Sequence, residues 1–149
     1  MEKKIMSVVS ELIETSRDGE KGFSKSAEEV EEPQIKSLFL KRAQNCSTAA
    51  RELEEQLRAL GGKIEEGGSV SGALHRGWVD VKAAVTGHDT AAILAETERG
   101  EDYAKKVYGE ALEEELPADL RQVIERQYQG VISNHNEVRN LRDTYRSRS

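Results

Sequence analysis

The chain has 149 residues, a formal net charge of -6 and 34% charged residues, but only 5% aromatics, two prolines and one cysteine. That length suits one domain with one core. The lone cysteine, Cys46, excludes an internal disulfide, and the acidic balance disfavours nucleic acid, whose phosphates it repels.

The chain begins Met1-Glu2-Lys3-Lys4 and lacks the apolar stretch of a secretory signal. No run approaches the roughly 20 apolar residues of a membrane span. A cytoplasmic protein with no membrane contact is therefore expected. High Glu, Lys, Arg and Ala content is that of long solvated helices.

The first helix is expected over about residues 3–31, because Ile5, Val8, Leu12, Ser16, Gly19/Glu20, Phe23, Ala27 and Val30 recur at three- and four-residue steps. Pro33 stops it and suits the first turn of a second helix over about 33–60. That helix carries Ile35, Leu38/Phe39, Arg42/Ala43, Cys46, Ala49/Ala50, Leu53, Leu57 and Leu60 on one stripe, and Gly61-Gly62 ends it.

A glycine- and serine-rich connector follows, then a shorter helix over about 73–86 with Leu74, Trp78, Val81 and Val85. Asp89 suits the N-cap of a third core helix over about 90–115, whose inner face is marked by Ile93, Glu96/Thr97, Gly100, Ala104, Val107 and Ala111. Pro117 opens a fourth, over about 117–146, with Leu120, Val123/Ile124, Gln127, Val131, Asn134/His135, Val138, Leu141 and Tyr145.

Helices joined by two or three residues are antiparallel neighbours, so the pattern is hairpin, long crossover, hairpin. It predicts one all-α domain over 1–149: an antiparallel four-helix bundle of ferritin-like connectivity, with an extra short helix in the crossover.

Four segments carry a resemblance across nearly the whole chain. They are Leu12-Ile13 through Asp18-Gly19-Glu20 to Gly22-Phe23, Leu60-Gly61-Gly62, Gly72 through His75-Arg76-Gly77-Trp78, and Glu98 through Gly100-Glu101-Asp102-Tyr103. In their order and spacing they resemble a bacterial four-helix-bundle family of unknown function within the ferritin-like superfamily. The resemblance implies a ferritin-like fold and a bacterial cytoplasmic protein, and supplies no activity.

Ferritin-like di-iron centres take a Glu from each of two helices and a Glu-x-x-His from each of the other two. This sequence has no Glu-x-x-His: the second helix reads Cys46-Ser47-Thr48-Ala49, and Ile132 stands three residues before His135. A di-iron oxidase is not expected.

A reduced site remains open. Glu20 lies 13 residues before Pro33 and Cys46 13 after it, while Glu101 lies 16 before Pro117 and His135 18 after it. At 1.5 Å per residue these share one height. Glu20, Cys46, Glu101 (or Glu96) and His135 would make a mixed site for a single zinc or iron. The alternatives are that Glu20 turns outward, Cys46 fills space and His135 hydrogen-bonds a buried carboxylate.

His75, Arg76 and Trp78 are candidates for a recognition patch, or for an anchor fastening the crossover. The helical glycines, Gly100 among them, fit close packing or a local bulge beside a polar site. The acidic runs at Glu28–Glu32 and Glu110–Glu115 read as solvated faces. Arg139, Arg142, Arg146 and Arg148 complement a helix C-terminus or form a docking tail.

No phosphate loop, Cys-x-x-Cys or nucleophile elbow is present. The leading expectation is a non-enzymatic bundle acting through a protein partner or as a homo-oligomer. A metal-binding or redox protein is the alternative. A small-molecule binder is kept open by Ser16, Gly19, Ala49 and Gly100 along the core stripes.

Overall fold

The computed structural model describes residues 2–62 and 90–147. Four helices make up the described chain: α1 (Glu2–Glu29), α2 (Pro33–Ala59), α3 (Thr90–Ala111) and α4 (Ala118–Ser147). The expected crossover helix, with His75, Arg76 and Trp78, lies outside the described residues.

Local chemistry sets the corners. Pro33 pushes the residue before it out of helical backbone, and Glu32 is extended at φ -68°, ψ 119°. α2 ends in a Schellman motif: Gly62 N–H donates to the Leu57 carbonyl at 2.9 Å and Gly61 N–H to that of Arg58 at 2.9 Å. Gly61 makes this turn at φ +82°, where a Cβ would be strained. At the α3–α4 corner, Arg121 donates to the Leu112 and Glu114 carbonyls at 3.2 and 2.7 Å, satisfying groups a helix end leaves open.

α1 packs on α2 and α3, and α4 on α2 and α3. All four pairs run antiparallel. Phe23, Ala27 and Val30 meet Ile35, Phe39 and Ala43 at one end together with Ile93, Leu94 and Val138. Val9, Leu12 and Ile13 meet Leu53 and Leu57 at the other, with Val107, Ala111, Leu120 and Ile124.

The chain leaves at Gly62 beside Leu57 and re-enters at Thr90, whose hydroxyl donates to Glu32 at 2.6 Å at the opposite end. Those ends are about 40 Å apart along a 28-residue helix. This is the hairpin, crossover, hairpin order of ferritin-like bundles, as the sequence predicts. No described helix is long and apolar enough to cross a membrane.

The core is not continuous. Two apolar clusters close the ends of the bundle. Each fully buried Leu, Ile or Phe contributes on the order of 1.5–3 kcal/mol by leaving water. Between the clusters the inward stripe positions carry Ser16, Gly19, Gly100, Glu101 and Gln127, which are buried, and the partly covered Cys46. Small or polar side chains at that height leave space that large apolar ones would fill.

Candidate functional site

That space is a cavity of about 280 Å³. All four helices contribute to it: Ser16 and Gly19 from α1, Arg42, Cys46 and Ala49 from α2, Glu101 and Tyr108 from α3, and Gln127 from α4. Its mouth lies between α2 and α4, where the lining residues Asn45, Thr48, Arg126 and Gly130 are exposed. A Cβ on Gly130 would meet nothing within 4 Å, so the rim is open there. On the far side α1 and α2 approach closely, since a Cβ on Gly19 would stand 2.8 Å from Cys46 Sγ.

One wall is a satisfied hydrogen-bond chain. Tyr108 O–H donates to Gln127 Oε1 at 2.7 Å, which leaves its oxygen to accept from Ser16 Oγ at 3.3 Å. Gln127 Nε2 donates to Glu52 Oε1 at 3.1 Å and to the Ala49 carbonyl at 3.3 Å. Arg126 closes the chain at the surface on Glu52 Oε2 at 2.6 Å. Burial pushes the Tyr108 phenol well above its ordinary range, so it stays a neutral donor.

The facing wall is not satisfied. Arg42 donates one terminal N–H to Glu137 Oε2 at 2.8 Å, but its buried Nε has no partner among the described residues. Both carboxyl oxygens of Glu101 are buried without a partner among the described residues, in a residue only 4% exposed. Burial pushes the Glu101 acid up to about 8; Arg42 opposes this, and Asp102, Glu137 and Glu98 reinforce it. At neutral pH Glu101 is therefore mostly a protonated acid, able to donate as well as accept.

Cys46 keeps some exposure, but towards the cavity it lines. Burial, then the charges of Glu101 and Glu20, push its thiol up to about 12 against the pull of Arg42.

The four candidate ligands divide accordingly. Cys46 and Glu101 line the same cavity, and Glu20 is near enough to act on the Cys46 thiol. Glu20 itself accepts from Arg17 at 3.1 Å and is partly exposed. His135 meets other carboxylates: its Nε2 lies 2.5 Å from Asp102 Oδ1 and 4.0 Å from Glu98 Oε1. Glu98 also pairs with Arg142.

Glu98, Asp102 and His135 each bring a ligand atom within 4.8 Å of the others. Glu98 and Asp102 are one turn apart, and Glu98 lies 19 residues before Pro117 against 18 after it for His135. That near-equal count was the available signal for this group. Arg42 and Gln127 were legible as polar residues interrupting apolar stripes.

Fold and connectivity define a ferritin-like four-helix bundle. Over 93% of this chain and 95% of the other, it superposes on a mutant of Dps1 from Mycobacterium smegmatis with a TM-score of 0.78 at 16% identity. At that identity the likeness is one of fold. The chain belongs to the family described as Domain of unknown function (DUF2383), whose pattern matches residues 4–114. Comparison with curated proteins gives no match.

A di-metal centre of the ferritin-like kind does not fit these residues. It requires four carboxylates and two imidazoles facing inward. Among the described residues the cavity presents two carboxyls, Glu101 and a Glu52 already engaged by Arg126 and Gln127, beside the guanidinium of Arg42 and a thiol held protonated. The imidazole of His135 is engaged with Asp102. A fixed cation among the inward groups opposes the charge of a second one.

Proposed function

We propose that this chain is a binding protein rather than a catalyst, and that it holds a small molecule in the mid-bundle cavity. The observation that supports this most directly is the pair Arg42 and Glu101: polar groups buried on a cavity wall with atoms left unpartnered. An unsatisfied buried polar group costs on the order of 1–3 kcal/mol, and a bound molecule that completes its hydrogen bonds recovers it. The cavity, near the lower end of the size range of ligand sites, combines small apolar residues with a few convergent polar groups.

Ligand-observed NMR with neutral aromatic alcohols tests the reading. Saturable binding at one site, blocked by Gly130→Phe at the open rim, is expected. Absence of saturable binding to aromatic alcohols, acids and amines alike refutes it.

A second reading has its own support, the convergence of Glu98, Asp102 and His135. These residues offer mixed nitrogen and oxygen donors suited to one zinc ion, although Arg142 and the His135–Asp102 contact already satisfy them in part. Calorimetric titration with zinc is expected to give one site per chain that His135→Ala removes. Binding unaffected by that change sinks this reading.

The interaction reading, a homo-oligomer or protein partner, has one feature on the described surface. Leu40, at 52% exposure, is the large apolar side chain left open there. Sedimentation of the wild type against Leu40→Lys tests it, and a monomer in both cases removes that support.

A further inference from the structure

The two unpartnered groups on the cavity wall specify the chemistry of what fits between them. Resting on the binding role proposed above, we infer that the cavity receives the carboxylate head of a small, mainly apolar monocarboxylic acid, with Arg42 as its cationic anchor and Glu101 as a second hydrogen-bond partner.

The size of the molecule follows from the volume. A cavity of roughly 150 Å³ takes benzene, so one of about 280 Å³ takes about eleven non-hydrogen atoms. Its body would lie against Phe23, Ala49, Gly100 and Ala104, which offer no hydrogen-bonding side-chain group.

The sign of the head group follows from Arg42. Its guanidinium does not lose its proton, so any occupant faces a permanent cation with a free Nε–H. A carboxylate accepts that N–H in a charge-assisted bond, and Glu101 lines the same cavity as a second polar contact. An amine would meet the same cation as a like charge and would need Glu101 to ionise. A neutral alcohol accepts from the same N–H and donates to Glu101, but lacks the charge that complements the cation.

The test compares phenylacetate with phenylethanol and phenylethylamine, of nearly equal size, by calorimetry on the full chain. Phenylacetate is expected to bind most tightly of the three. Arg42→Gln is expected to weaken phenylacetate at least tenfold and phenylethanol by less, with melting curves confirming that the variant folds. Glu101→Gln keeps a hydrogen-bonding group at that place on the wall, so it is expected to retain phenylacetate binding.

Tighter binding of the amine overturns the inference. So does equal binding of acid and alcohol, or an Arg42→Gln variant that binds phenylacetate as tightly as the wild type; these three leave the binding role standing. Failure of all three probes overturns both.

Discussion

Replacing Glu101 by Gln should make the protein markedly more stable at alkaline pH. Both Glu101 oxygens are buried without partners among the described residues, and burial raises the acid from its ordinary value of 4.5 to about 8. The native state then holds a proton that the unfolded chain has released. A raised pKa gives a contribution that is fully present below pH 4.5 and declines from there until pH passes 8.

Integrating that difference between pH 5 and pH 9 gives a loss of about 4 kcal/mol from this one group. Glutamine has nearly the same shape and does not ionise, so the variant escapes the loss. Urea denaturation of wild type and Glu101→Gln across this range reads the effect directly. The curves should nearly coincide at pH 5 and separate as pH rises, with melting temperatures roughly 8–15 °C apart at pH 9 for a chain of this size. Parallel curves would show that Glu101 ionises freely in the fold, and would refute the argument that its site is dry and unpartnered.

Three further outcomes follow from the same layer. Gly19→Ala should destabilise by about 1 kcal/mol, since the new Cβ falls 2.8 Å from Cys46 Sγ and outweighs the helix propensity gained. In a Cys46→Ala background the sign should reverse, and equal effects in both backgrounds would show that this contact does not matter. The Cys46 thiol, raised from 9.0 to about 12, should react with a disulfide reagent at pH 8 about a thousandfold more slowly in the folded than in the unfolded chain; comparable rates would contradict it. Tyr108→Phe strips Gln127 of its donor and Ser16 of its acceptor, and should cost about 1–3 kcal/mol by chemical denaturation. An unchanged midpoint would mean that the hydrogen-bond chain contributes nothing.

Most of the fold was legible in the chain. The three- and four-residue recurrence of apolar residues located the four helices, because a helix must bury one stripe. Pro33 and Gly61-Gly62 marked where backbone chemistry forbids continuation. The length between Gly62 and Thr90 indicated a crossover, and those residues do lie at opposite ends of the bundle.

The candidate site was legible only in height. Counting residues from Pro33 and Pro117 placed Cys46, Glu101 and His135 near one level, because rise per residue is constant. It did not say which way each side chain turns. Glu98 and Glu101 differ by three residues and so by about 60° around α3. At that angle Glu101 faces the cavity, while Glu98 and Asp102 meet His135 at its flank.

The sequence by itself determined the helices, their order and the small and polar residues interrupting the apolar stripes. These follow from local backbone chemistry and from periodicity along a single helix. Only the tertiary structure decided that those interruptions coincide as a cavity, with Arg42 and Glu101 facing it unpartnered. Empty volume is what four backbones leave between them, and it depends on rotations about each helix axis that no single stretch of sequence encodes.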